Sequence, residues 1–214
     1  MRAWGIVVAG GRGTRYGRPK QLDQLAGRLL IDWAVAALRP VCEGVVAVLA
    51  ADLLDGATVS ADAVVAGGDT RAASVRAGLA AVPGDAEVIL VHDAVRPLAT
   101  TALAARVIAA IEDGADGAVP GVPVVDTLKR VDGPKVIATV DRADLVGVQT
   151  PQGFRAEALR RAHATEADAT DDAGLVEAAG GTVVVVEGER ENLKVTWPED
   201  IAVAEALLAA RGPR

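Results

Sequence analysis

The chain has 214 residues, enough to bury a sizeable core, and its formal net charge of −7 excludes a general nucleic-acid or anionic-membrane binder, which would be basic. Hydrophobic residues make up 51% and aromatic residues 2%, so Ala and Val must fill the interior, a mix that suits a parallel sheet covered by helices. A lone cysteine, Cys42, excludes an internal disulfide and a Cys-based zinc site, and is expected as a small buried apolar residue.

Met1-Arg2-Ala3-Trp4 leads straight into a first strand, Trp4 to Ala9, with no signal-like segment before it. No apolar stretch reaches the roughly 20 residues of a membrane helix, so a cytoplasmic location is expected. A helix follows over 29–38, with Pro40 just past its end, and then strands over 45–50 and 63–66. Asp69 or Thr70 can cap a helix running to about Val82. A strand from Glu87 to His92 ends at Asp93, and Thr100 or Thr101 opens a helix to about Glu112. This alternation predicts an α/β fold with a Rossmann-like, doubly wound, mostly parallel sheet. From Val122 two strand-like runs flank Asp132-Gly133, a hairpin signal. An isolated two-stranded ribbon is marginal in water, so this arm, at about 122–143 of a single domain over 1–214, should pack on something. A second subunit is a good candidate. Helical patterns resume near Arg155 and Asp171, Val183 to Val186 is a late strand, and Pro198 sits at the first turn of a last helix.

Doubly wound sheets bind ligands beyond the carboxyl ends of their strands, and two chemically rich segments lie there. The first is AGGRGTRYGRPKQ, Ala9 to Gln21. It fails the dinucleotide fingerprint G-x-G-x-x-G at Tyr16 and lacks the Gly-Lys-Ser/Thr of a P-loop. It holds Arg12, Arg15, Arg18 and Lys20 within nine residues. Glycines let backbone N–H groups approach phosphate, while Arg adds bidentate forks and Lys a point charge. A triphosphate suits this density, with a solvated basic loop as the alternative. The second segment is VILVHDAVRP, Val88 to Pro97. An Asp at the end of a central strand can bind Mg2+, a hard ion held by few carboxylates plus phosphates, and Arg96 follows at a reach suited to an anion. Asp93 could equally serve as a turn cap. His92 should point to the opposite face, and His163 is expected to be solvent-exposed on a polar helix. Neither suggests a nucleophilic triad.

The first loop is similar to the signature loop of nucleotidyltransferases. Together with VHDAVRP, DTLKR, TVDR, TPQGF and ENLKVTWPED, from Ala9 to Asp200, it resembles the 2-C-methyl-D-erythritol 4-phosphate cytidylyltransferase family. The resemblance implies a Mg2+-dependent enzyme joining CTP and methylerythritol phosphate. Arg15 and Lys20 match the pair that stabilises the transition state at the α-phosphate. Ala9, Gly10, Gly68, Asp69 and Ser74 match the cytosine readers, with Gly11 and Gly13 in the loop around the nucleotide. Asp93, beside Ala94, matches the acidic residue near Mg2+ and the ribose. Arg96, Lys194, Thr127 and Arg142 match contacts to methylerythritol phosphate, with Arg142 and Lys194 holding the nucleophile. Thr127 and Arg142 lie on the arm, which in this family reaches into the partner subunit, so a homodimer is implied. Tyr16, Val95 and a short stretch between Arg15 and Pro19 depart from the family pattern. A cytidylyltransferase for ribitol 5-phosphate or another polyol phosphate, a sugar-1-phosphate or molybdopterin nucleotidyltransferase, and a catalytically inactive nucleotide-binding subunit are the alternatives. The chain ends soon after the last helix, and no fused second enzyme is expected.

Overall fold

The computed structural model describes residues 1–11, 16, 19–165 and 169–212. Its centre is an eight-stranded sheet. Strands β1 (Ala3–Ala9), β4 (Gly44–Leu49), β5 (Ala63–Ala66) and β6 (Val88–Asp93) lie side by side and parallel in the order β5-β4-β1-β6. The short strands β2 (Gln24–Leu25) and β3 (Arg28–Leu29) form a separate hairpin through Ala26 and Gly27, both at positive φ (49° and 77°). The sequence reading did not foresee this hairpin, because Ala-Gly lacks the Asn-Gly or Asp-Gly signature of such turns.

Side chains alternate across each strand, and the two faces of the sheet receive different helices. Ile6, Val46, Val48, Ile89 and Val91 pack on one face with Ala72, Val75 and Leu79 of α2 (Arg71–Ala81). Val7, Val45, Ala47, Val88 and Leu90 pack on the other with α1 (Leu30–Leu38) and α3 (Thr101–Glu112). A parallel sheet buried on both faces has no need of polar alternation, which is why β1, β4 and β6 read as solid apolar runs. Thr70 caps α2 by accepting from Ala73 N, and Thr100 caps α3 by accepting from Leu103 N, so each helix starts at the threonine its sequence supplies.

Beyond β6 the order changes. Strand β7 (Gly117–Pro123) is followed by a separate antiparallel ribbon, β8 (Leu128–Asp132) and β9 (Lys135–Val140), and then by β10 (Val146–Val148) and β11 (Gln152–Arg155). Strand β11 inserts antiparallel between β6 and β7, so the sheet is mostly but not wholly parallel. Helices α4 (Ala156–Ala162) and α5 (Asp172–Ala178) precede β12 (Val183–Glu187), which pairs parallel with β7. The last helix, α6 (Asp200–Arg211), begins later than Pro198 suggested. Asp200 accepts from Thr196 N at 2.6 Å and Trp197 N at 2.8 Å, so its own carboxylate organises the turn that holds Pro198. Among the described residues no helix is long and apolar enough to cross a membrane.

Candidate active site

A cleft of about 930 Å³ opens over the carboxyl ends of β1, β4, β5 and β6. The predicted residues Ala9, Gly10, Gly11, Lys20, Gly68, Asp69, Ser74, Asp93 and Lys194 all line it. Arg15 and Gly13, together with Arg12, Gly17 and Arg18, lie outside the described residues. The cleft also takes in Gln21, Asp52, Gly67, Thr70 and Arg71, which sequence reasoning did not single out as site residues.

The glycines serve close approach. A Cβ on Gly10 would stand 2.9 Å from the Ser74 hydroxyl, and one on Gly67 would stand 2.7 Å from it. Two chain segments thus close on Ser74, which is buried and lies 3.0 Å from Thr70 O and 3.3 Å from Gly68 O. Gln21 ties the first loop to its own strand by donating to Ala9 O at 2.7 Å and Gly11 O at 3.3 Å. Lys20 is buried; its Nζ donates to Thr196 O at 3.1 Å and sits 5.1 Å from the Tyr16 ring centre.

Asp93 is the electrostatic hub. Oδ2 accepts from Lys194 Nζ at 2.7 Å, and Arg71 Nε and Arg96 Nε lie 3.8 Å and 4.0 Å from the carboxylate. Burial works against its charge, but Lys194, then Arg71 and Arg96, hold it below the usual carboxylate value. Arg71 is itself part-buried. Burial opposes its cation, and Asp172 followed by Asp93 outweighs that and raises it above the ordinary Arg value.

The motifs TPQGF and ENLKVT prove to be scaffolding for this hub. The Thr150 hydroxyl accepts from Asp93 N at 3.0 Å and lies 2.8 Å from His92 Nδ1. Gln152 ties β11 to Asp171, and Phe154 is fully buried in the core. Asn192 donates to Thr150 O at 2.9 Å, and Val195 N donates to Val95 O at 2.8 Å, which swings Lys194 over the end of β6. Arg96 turns its Nη1 to Asn192 O at 2.8 Å and does not line the cleft, nor does Ala94, whose N donates to Val8 O at 3.0 Å. Thr127 and Arg142 are exposed, just beyond the Leu128–Val140 pair at the open end of the β8–β9 ribbon, and neither lines this chain's own cleft.

His92 points away from Asp93, onto the opposite face, with 0% exposure. Burial lowers its pKa to about 4, so the ring that meets the Thr150 hydroxyl is neutral. In the unfolded chain the value is about 6.5. Unfolding therefore takes up a proton between those limits, and stability falls as pH drops through that window. The loss is expected to be on the order of 3 kcal/mol by pH 4, from the energy of a pKa unit. Urea unfolding of the parent and of His92→Gln at pH 7 and pH 4.5 checks it; equal pH slopes would refute this origin.

His163 and Cys42 differ from expectation. His163 is not solvent-exposed: it caps the end of α4 with a side chain only 2% exposed, because its Nε2 pairs with the fully buried Asp172 at 2.9 Å. Cys42 is only part-buried; burial still pushes its thiol up to about 12 and keeps it in the unreactive form.

A doubly wound sheet whose strand-end cleft is walled by glycines and carries Lys20, Arg71 and Lys194 is of the class that takes a phosphate-bearing ligand there. Comparison with known proteins narrows the class. The family model of 2-C-methyl-D-erythritol 4-phosphate cytidylyltransferase matches residues 4–210, and the chain belongs to that family. A protein of that name from Rubrobacter xylanophilus is 45% identical over 98% of this chain and 96% of its own. Another, from Frankia casuarinae, is 46% identical over 99% and 83%. The crystal structure of the Thermus thermophilus protein of that name superposes with a TM-score of 0.84 at 39% identity, covering 98% of this chain and 100% of the other.

Proposed function

We propose that this enzyme joins CTP and 2-C-methyl-D-erythritol 4-phosphate to give 4-diphosphocytidyl-2-C-methyl-D-erythritol and pyrophosphate, in the non-mevalonate route to isoprenoid precursors. The observation that carries the reading is the convergence on one cleft of a small-residue wall around Ser74 with Lys20, Lys194 and Asp93. The wall suits a flat pyrimidine, and the charges suit a triphosphate meeting a second phosphate.

A phosphate oxygen of methylerythritol phosphate attacks the α-phosphorus of CTP in line. The bond from that phosphorus to the bridging oxygen breaks, and its electron pair leaves with pyrophosphate. The nucleophile is already ionised near pH 7, so positioning and charge neutralisation supply the catalysis and no general base is required. Lys20 and Arg15 neutralise charge growing at the α-phosphate, with Gly11 and Gly13 admitting the phosphates close to the backbone. Ala9, Gly10, Gly68, Asp69 and Ser74 read the base. The Ser74 hydroxyl has acceptor capacity as well as its one proton, so it can meet the cytosine edge, and rejecting uracil follows from mismatched buried polar groups. Asp93 stands at the ribose. Lys194, whose side chain is 44% exposed, rotates from Asp93 to hold the attacking phosphate together with Arg142 and Thr127.

Mg2+ fits the donor set. Among the described residues no group of three or more His, Cys, Asp and Glu side chains gathers into an all-protein cage. A single carboxylate kept ionised at the cleft wall, completed by phosphate oxygens and water, is what this hard ion takes. Asp93 would hold it, and bound there it neutralises triphosphate charge. A homodimer belongs to the same reading. Val131, Val136 and Ile137 on the β8–β9 ribbon are each more than half exposed, and a second copy would cover them and receive Thr127 and Arg142 at its own cleft. Arg142→Ala is then expected to raise the KM for the sugar phosphate about tenfold or more, from the loss of a charged hydrogen bond, with the KM for CTP little changed. Unaltered kinetics would sink the shared site.

The test of the whole reading is pyrophosphate release with CTP, UTP, ATP and GTP, each paired with methylerythritol phosphate and with ribitol 5-phosphate. CTP with methylerythritol phosphate is expected to be the fastest pair. No release from it, or faster release from another pair, overturns the reading.

A further inference from the structure

Three ionisable groups that take no part in this chemistry, the buried His163 and Asp172 and the part-buried Arg71, form a line into the cleft. His163 Nε2 donates to Asp172 Oδ1 at 2.9 Å, since a carboxylate can only accept. Asp172 Oδ2 accepts from Arg71 Nη1 at 2.6 Å. Arg71 Nε then lies 3.8 Å from Asp93 Oδ1, on the side of the carboxylate opposite the oxygen taken by Lys194. The line joins the end of α4, the first residue of α5 and the first residue of α2 to the end of β6.

We propose that Asp172, braced by His163, is a positioning group that locks Arg71, and that Arg71 so locked fixes the orientation of the Asp93 carboxylate for the nucleotide. The inference rests on the cytidylyltransferase reading and deepens it. A carboxylate with 0% exposure is weak evidence of stabilisation, because a hydrophobic replacement is often as stable. What it delivers is geometry. Both Asp172 oxygens are occupied, so the side chain has one orientation. A guanidinium is a planar fork that serves two carboxylates at a fixed angle, which a lysine cannot do. Asp93 stands at a cleft wall where rotation of its carboxylate would misplace both the ribose contact and the Lys194 pair. Holding such a group by side chains on helix and strand ends gives the precision that a loop does not.

The experiment compares the parent with Asp172→Asn, Arg71→Lys and the double variant, each checked for folding by circular dichroism. CTP affinity with Mg2+ is measured by calorimetry, and KM for both substrates by pyrophosphate release. Asp172→Asn and Arg71→Lys are each expected to weaken CTP binding about tenfold or more while the KM for the sugar phosphate stays within about twofold. The double variant should bind CTP no worse than the weaker single one, because both act through one linkage. The proposal is overturned by a folded Asp172→Asn with parental CTP affinity, by additive losses, or by equal losses for both substrates, which mark a general distortion. If Asp172→Asn does not fold, Arg71→Lys decides by the same criteria, since it leaves Asp172 a cation. The parent's own turnover judges the functional reading separately: a parent that binds CTP but releases no pyrophosphate refutes that reading and leaves the CTP affinities to judge the linkage.

Discussion

Lys20→Ala is expected to lower turnover by about two to three orders of magnitude, or roughly 3–4 kcal/mol of barrier, the loss seen when one preorganised charge-stabilising donor is removed. The side chain is only 9% exposed, and its ammonium is oriented by Thr196 O and the Tyr16 ring. A charge held in place needs no reorganisation as the α-phosphate gains charge, so its effect falls on the chemical step more than on binding. The KM for methylerythritol phosphate should move least. Removing Lys20 also takes away the contact that ties the first loop to the segment carrying Lys194, so CTP affinity should fall more modestly. Rapid-quench or steady-state pyrophosphate release measures both. Turnover within a few-fold of the parent, in a variant shown to be folded, would remove Lys20 from the reacting centre.

Asp93→Ala should be the other severe change, lowering turnover by about a hundredfold or more as a fixed charge of the reacting centre is lost. The substitution leaves Lys194, Arg71 and Arg96 facing one another without the carboxylate that separates them. Breaking a buried pair costs about 3–5 kcal/mol of stability, but Lys194 is 44% exposed and solvent screens it, so about 2 kcal/mol is expected. The dependence of rate on Mg2+ should flatten, because the one carboxylate proposed to hold the ion is gone. The pH signature follows from the depressed pKa. In the parent the contribution of Asp93 is fully present above the unfolded value of about 3.9 and is lost as pH falls through the lower folded value. Acid unfolding of Asp93→Asn should lack that component below about pH 4. A parental Mg2+ response in Asp93→Asn would detach the ion from this residue.

Most of the sheet was legible because its signals are local. β1 and β4 are uninterrupted apolar runs and β6 is one as far as Val91, and Thr70 and Thr100 mark the helix starts by the chemistry of a single side chain. The cleft residues of the first loop were legible for the same reason, since glycines and cations crowd a short segment after a strand. Strand β11 was not legible. TPQGF carries no clear alternation, and its place between β6 and β7 is set by pairing with residues about 35 and 60 positions earlier in the chain.

Local chemistry along the chain was enough to set the alternation of strands and helices, the side of the sheet where a ligand must sit, and some of the charges there, Lys20 and Asp93 among them, because period, capping and composition act over a few residues. Long-range packing alone settled what those charges do to one another. Arg71 and Asp172 stand 101 positions apart, as do Asp93 and Lys194, and the folded chain brings each pair within 2.7 Å. His163 shows the difference most plainly. A polar stretch of helix made it look solvated, and a single buried carboxylate on the next helix turned it inward, because Asp172 could be buried only with both of its oxygens satisfied.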